Sequence, residues 1–260
     1  MVKVLSAVRP NAGIQAEYRK KLLALLAELD RSVVYWLRAS YRKNPPAMAM
    51  DESSANALER EMQRLADTWM AKVNRAGDRM AKWFAKTSGD RSDRVMRKIL
   101  DEAGMTVRFK LSKRAADVLD ATIAENVGLI KSIGQEHLAD VQGLVMRSVA
   151  QGRDVGWLTA QIEKRYDVTT RRAALIARDQ NNKATANIVM ARQLDAGITK
   201  AMWLHSAGGK VPRASHVKAG REKLIYDVEK GAFIDNEWIY PGQLINCRCV
   251  CRSVIEGIDY

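Results

Sequence analysis

Long apolar runs are missing from this chain. No stretch approaches the roughly 18 apolar residues that a membrane span needs. Residues 1–9 also lack the apolar core and small-residue cleavage site of a signal peptide. Both absences lead to the expectation of a protein made and kept in a reducing cytosol. Cysteine is scarce: there are 3 in 260 residues, set as Cys247-x-Cys249-x-Cys251. An odd number in one tight run does not make a disulfide framework. The 5 prolines, Pro10, Pro45, Pro46, Pro212 and Pro241, all fall where an element is expected to start or stop. Phosphate-cradling and dinucleotide fingerprints are absent, and Gly208-Gly209-Lys210 is too short to replace them. No fixed-period repeat or low-complexity tract is visible.

What is present is a chain long enough to bury a sizeable core, as one large domain or two smaller ones. Charged residues at 28% and hydrophobic residues at 47% argue against wholesale disorder. The net charge of +13 is uneven. Residues 1–110 hold 22 Lys and Arg against 13 Asp and Glu, a net of +9, while 111–200 carry +3 and 201–260 carry +1. The basic excess therefore belongs to the first half. Such a surface suits nucleic acid or an acidic protein partner, and equally a solvated helix face.

Most of the chain reads as helix. Leu22, Leu25, Leu26, Leu29, Val33 and Trp36 recur at helical spacing over 14–37, after a start signal at Pro10-Asn11. Pro45-Pro46 stops that element. A second helix is expected from about Ser53 to Lys86, striped by Leu58, Met62, Leu65, Trp69, Val73, Met80, Trp83 and Phe84, with Gly77 as a bend. Thr87-Ser88-Gly89-Asp90 reads as a turn, 92–102 as a separate helix stopped at Gly104, and 105–111 as a strand or an extended link. Ser112 opens the next helix as its cap. Breaks are expected at Ser132-Ile133-Gly134 and at Gly152, with Asp154 capping one further helix and Asp167 or Thr169 another. Gly197 ends the last. Trp69 and Trp83 read as core. Tyr35 and Trp36, among Arg38, Tyr41, Arg42 and Lys43, fit either stacking on single-stranded nucleic acid or a protein interface.

The last fifth differs. Residues 203–251 hold two of the three histidines and all three cysteines. Short strands are expected at 201–205, 225–228, 238–240 and 249–255, with irregular backbone around Gly208-Gly209 and Pro212 and a turn at Pro241-Gly242. The expectation is a small, compact, non-helical knot over 201–256, its antiparallel sheet packed on the preceding helix. The fold class is thus mainly α: a long helical N-terminal and middle region, then a small α+β C-terminal domain. The division expected is a basic helical region over 1–110 and a second region over 111–260.

Several ordered motifs resemble one known family. Asn126-Val127-Gly128-Leu129-Ile130-Lys131-Ser132-Ile133 is similar to its N-x-x-L-I-K-x-I entry, and 152–158 to its glycine-then-helix step. Arg172-Ala173-Ala174-Leu175-Ile176-Ala177-Arg178-Asp179-Gln180 is similar to its R-A-x-x-I-A-R-[TD]-[EQ] helix. Trp203, Arg213-Ala214-Ser215-His216 and Asn246-Cys247-Arg248-Cys249 complete the set. Together these resemble the phage head morphogenesis family, also called phage Mu protein F-like, over about 115–255. The resemblance implies a minor head protein of a tailed phage, in few copies with the portal and capsid, linked to head assembly, DNA packaging or ejection. It implies a virion location, at the head interior or portal vertex, and Arg178, Asp179, Trp203, Arg213, His216, Asn246, Cys247, Arg248 and Cys249 as structural motif residues. The basic first half, through Arg38, Arg42 and Lys43, would suit contact with DNA or an acidic portal surface.

Two readings stand for the chemistry of the knot. In one, His216, Cys247 and Cys249 are borderline or soft ligands suited to zinc, with Cys251, His205 or a carboxylate such as Asp235 as the fourth. Relatives with Cys-x-x-Cys at 213–216 would complete such a site, but Arg213 replaces the first of those cysteines and a cation cannot ligate. In the other, no metal is bound, His216 makes a hydrogen bond in a turn, and the cysteines are small buried apolar residues. Arg213 and Arg248 are then expected to pair with Asp179 or Asp235. No enzyme is expected. A Cys247/His216 nucleophile would need an orienting group and an oxyanion site, and a metal nuclease would need His205, His216 and Asn236 or Asn246 on one ion. Some relatives carry a toxin enzyme after Cys-Arg-Cys, and with nine residues beyond Cys251 in this sequence none is expected here.

Overall fold

The computed structural model describes residues 2–43, 52–110, 112–150, 155–209 and 211–256, with the side chains of 42, 43, 52–57 and 155 outside that description. Four long helices run through it: α1 (Ala12–Lys43), α2 (Glu52–Glu102), α3 (Lys113–Ala150) and α4 (Val155–Asp195). The mainly α expectation holds. The start signals act as local chemistry requires. The Asn11 side chain accepts from the Ile14 N–H at 2.9 Å, and the Ser112 hydroxyl accepts from the Ala115 N–H at 3.1 Å, satisfying amides that a first helical turn leaves free. Gly104 and Gly197 follow the ends of α2 and α4 at positive φ, 83° and 73°. Residues 105–110 form an extended link without strand pairing.

Three expected breaks do not occur. The helices pass unbroken through Thr87-Ser88-Gly89-Asp90, through Ser132-Ile133-Gly134 and through Asp167 to Thr169. Packing overrides propensity at the first two. A Cβ on Gly89 would stand 3.2 Å from Leu119 Cδ2, and one on Gly134 would stand 3.1 Å from Val73 Cγ1. These glycines admit a neighbouring side chain, and that contact offsets the roughly 1 kcal/mol that glycine costs inside a helix. Thr169 donates its hydroxyl back to the Arg165 carbonyl at 3.0 Å and Thr170 to Asp167 at 3.0 Å, so neither caps anything. The expected signals at Pro45-Pro46, Gly152 and Asp154 lie outside the described residues.

The chain divides into two compact units, and both draw on residues from either side of 110. One comprises Glu17–Ala81 and Glu125–Ile176. It is wholly helical among its described residues, around a core that includes Leu29, Val33, Leu37, Met62, Trp69, Val141, Val145, Leu158 and Ile162. A few polar bonds cross it: Tyr18 to Asn126 at 2.8 Å, Tyr41 to Ser148 at 3.0 Å and Trp69 to Ser32 at 3.0 Å.

The other unit comprises Met1–Ala16, Lys82–Ala124 and Ala177–Tyr260. It holds β1 (Val2–Val4), β2 (Lys200–Leu204), α5 (Ala214–Arg221), β3 (Ile225–Asp227), β4 (Ala232–Ile234), β5 (Glu237–Ile239) and β6 (Val250–Glu256). An antiparallel sheet runs β1-β6-β2-β3, and β4 and β5 form a separate hairpin. Two features correct the sequence reading. The knot is not free of helix, since α5 follows Arg213. The sheet also recruits the start of the chain: Val4 pairs with Val254, and the Arg252 side chain donates to the Leu5 carbonyl at 2.7 Å. Nothing local marks a three-residue strand whose partner lies some 250 residues away. Cores on this unit join Trp203, Tyr226, Val228, Ile239, Cys247 and Cys249, with Met190 and Leu194 of α4 against them, and separately Leu5, Val8, Leu100 and Val189. The sheet is therefore packed on α4, as expected.

Candidate functional site

The clasp is built from the C-terminal part of α4 outward. Arg178, Asp179 and Asn182 share one helical face, since positions one turn apart lie side by side. That face grips the loop before β6. Arg178 Nη2 donates to Asn246 Oδ1 at 2.7 Å. The buried Asp179 accepts from the Asn246 backbone N–H at 2.9 Å, and Lys183 sits 3.3 Å from its other oxygen. Asn182 Nδ2 donates to the Cys247 carbonyl at 3.0 Å. Asn246 has φ of 61°, a left-handed conformation that asparagine tolerates better than most residues. Three side chains on one helix thus hold two adjacent loop residues, Arg178 and Asp179 on Asn246 and Asn182 on Cys247.

Two close approaches complete the fit. Gly242 has φ of 88°, and a Cβ there would stand 3.2 Å from the Cys249 carbonyl oxygen and 3.3 Å from Ala186 Cβ. A Cβ on Gly220 would stand 2.4 Å from His205 Cβ and 2.9 Å from its backbone nitrogen, so only glycine lets α5 lie on β2. The fully buried Trp203 then meets His216 edge-on, with ring centroids 5.0 Å apart.

The arginines do not behave as expected. Arg213 donates to the Ile245 carbonyl at 3.2 Å, and Arg248 donates to the Gly208 carbonyl. Neither pairs with Asp179 or Asp235. Asp235 accepts instead from the Ser215 hydroxyl at 2.6 Å. The reason is geometric: Asp179 is already taken by Asn246 and Lys183, and loop carbonyls lie nearer the guanidinium groups.

His216 brings Nδ1 to 3.4 Å from Cys247 Sγ and 3.9 Å from Cys249 Sγ. All three residues are buried, and the cysteines are free thiols. The Cys247 thiol is pulled down to about 5, chiefly by the hydrogen bond from Cys249. Burial opposes that, while the backbone N–H groups of Cys249 and Gly242 and the nearby His216 assist. Cys249 is pushed up by its bond to Cys247 and by burial. The two thiols thus titrate as a coupled pair. Cys251 does not join them. Its thiol faces Gln193, with Nε2 at 3.6 Å, and Tyr226, and burial raises it. His205 lines the same cavity as His216, of about 330 Å³, together with Arg213, Asn246, Cys247, Arg248 and Cys249.

Of the sequence-predicted residues, Arg178, Asp179, Trp203, Arg213, His216, Asn246, Cys247, Arg248 and Cys249 thus fall in one neighbourhood. Comparison with known proteins bears on this neighbourhood. Residues 139–252 match the family described as Phage Mu protein F like protein. This part of the chain is similar to the phage Mu protein F-like family. The Mu F-like segment begins within α3 and ends within β6, so it contains every residue of the clasp. An uncharacterized protein of Haemophilus influenzae is 36% identical over 153 residues, which is 59% of this chain and 33% of that protein. The chain therefore spans about a third of the length of the curated relative it matches. No solved structure matches.

Two clasp residues escaped the sequence reading. Asn182 was visible only as one of several polar residues on the last helix, and its placement one turn after Arg178 and Asp179 was the available signal. Gly220 offered none, because its partner His205 is close only in space. Arg38 lies in the other unit, exposed on α1 beside the exposed Tyr35, where both line a shallow surface concavity with Asp30, Arg31 and Glu163. Trp36 packs against the helical core. Arg42 and Lys43 lie outside the residues whose side chains are described.

Proposed function

We propose that the chain is a minor head protein of a tailed phage, acting in head morphogenesis and seated against portal or major capsid protein in few copies per particle. The observation that carries this reading is the coincidence of the Mu F-like segment with the clasp: the matched residues are the ones whose side chains lock the C-terminal knot onto α4. A locked knot with ordered exposed apolar side chains, Phe233 and Trp238 on the β4–β5 hairpin and Ile245 beside the clasp, is what a protein built into a particle would offer. No described helix is long and apolar enough to cross a membrane, which fits a protein made in the host cytoplasm and carried in the virion. The chemistry of the knot is read as structural and not enzymatic. Mass spectrometry of purified virions and of portal-containing heads tests the reading. Co-purification at low copy number is expected; absence from purified particles overturns it.

A second reading, DNA contact through the basic first half, is favoured by the exposed Tyr35 between Arg31 and Arg38 on α1. Binding would then weaken steeply with salt. Affinity that is unchanged in an Arg31→Ala/Arg38→Ala double variant removes it.

A further inference from the structure

The clasp contains a cluster that its hydrogen-bonding frame does not need. One nitrogen and two sulfurs, His216 Nδ1, Cys247 Sγ and Cys249 Sγ, lie within 4.8 Å of one another. They come from two separate places: His216 from α5, the cysteines from the loop before β6, 31 and 33 residues later. A tetrahedral zinc ion, with Zn–S about 2.3 Å and Zn–N about 2.0 Å, sets nitrogen–sulfur edges of about 3.5 Å. The observed 3.4 and 3.9 Å stand on either side of that edge.

We propose that His216, Cys247 and Cys249 bind a soft divalent metal ion, Zn²⁺ in the first instance. Imidazole with thiolate is the donor set that favours zinc over the hard cations. Two thiolates neutralise the ion, so the buried site carries no uncompensated charge. The three ligands line the cavity that opens beside Arg213 and His205, so solvent on that side supplies the fourth ligand. Cys251 is excluded by its place against Gln193 and Tyr226. Asp235 is not among the donors that lie within 4.8 Å of one another. The ion would tie α5 to the segment that α4 grips, closing the clasp from its second side, and its binding energy would become folding energy of the knot. This inference stands on the geometry alone and holds whether or not the chain is a head protein.

The test uses the full chain, untagged and purified without chelator. Elemental analysis after incubation with Zn²⁺ and desalting should find about one zinc per chain. Replacement by Co²⁺ should give the intense near-ultraviolet thiolate-to-cobalt band and the visible bands of a tetrahedral ion. Cys247→Ser, Cys249→Ser and His216→Ala should lose most of the bound metal, while Cys251→Ser keeps it. Should a ligand variant fail to fold, the unaltered protein decides: a chelator should lower its melting temperature and added zinc restore it. Zinc at background level with no cobalt band in the unaltered chain overturns the proposal. So does metal that stays in all three ligand variants, or that is lost in Cys251→Ser instead.

Discussion

The two units of this molecule are held by different means. The helical unit of Glu17–Ala81 and Glu125–Ile176 rests on apolar stripes, with a handful of polar bonds threaded between them. In the clasp, single atoms meet single atoms: Arg178 and Asp179 on Asn246, Asn182 on Cys247, Arg213 on Ile245, and a bare glycine Cα against His205. Apolar packing is additive and forgiving, because many side chains of the right volume fill the same space. A clasp made of directed bonds between residues far apart in sequence is not, because each donor has one acceptor in reach. Exchanging a residue in the clasp therefore loses a specific partner, while the Mu F-like match covers the clasp together with residues 139–176 of the helical unit.

That contrast can be put under strain, beginning with the largest effect. Leu29→Ala in the helical unit removes a fully buried side chain and should cost about 2–5 kcal/mol in urea unfolding. The same variant should leave amide exchange within 214–249 unaltered under native conditions. Exchange that rises equally in both units would show the two supports to be one.

Gly220→Ala should cost about 1–3 kcal/mol by overpacking, although alanine is the better helix former. Its signature is accelerated exchange in α5 and β2. A variant as stable as the parent would mean that α5 does not lie where the structure puts it. Asp179→Ala leaves the Asn246 N–H without its acceptor and should also cost about 1–3 kcal/mol. Its effect and that of Arg178→Ala should not add, since both act on one residue.

Asn246 separates conformation from bonding. Asn246→Gly keeps the left-handed backbone and loses the Arg178 bond, whereas Asn246→Ala loses both. The difference between the two variants should be about 1 kcal/mol, the cost of a left-handed alanine; equal stabilities would show that the turn relaxes. At the bottom of the scale, Lys86→Ala breaks an exposed ion pair with Asp90 and should change the unfolding midpoint by less than about 1 kcal/mol. A larger loss would mean that this exposed pair is doing what only the buried bonds are credited with.

Much of the architecture is legible in the sequence. Apolar spacing located the long helices, Asn11 and Ser112 marked two starts, and Gly104 and Gly197 marked two ends. The crowding of histidine and cysteine after Trp203 located the clasp. Legibility failed where a signal is ambiguous between a turn and a close contact, as at Ser88-Gly89 and Ser132-Gly134. It failed again where the partner is remote, as for Val2–Val4 and Gly220.

The sequence by itself determined the periodic faces, the caps and the kinds of donor available to the knot, because these depend on neighbours within a turn or two of chain. Only the tertiary structure decided which glycines admit a neighbour, which carbonyls the arginines reach, and that Cys247 and Cys249 face His216 while Cys251 turns to Gln193. Those outcomes depend on distances between segments tens to hundreds of residues apart, and no local preference encodes them.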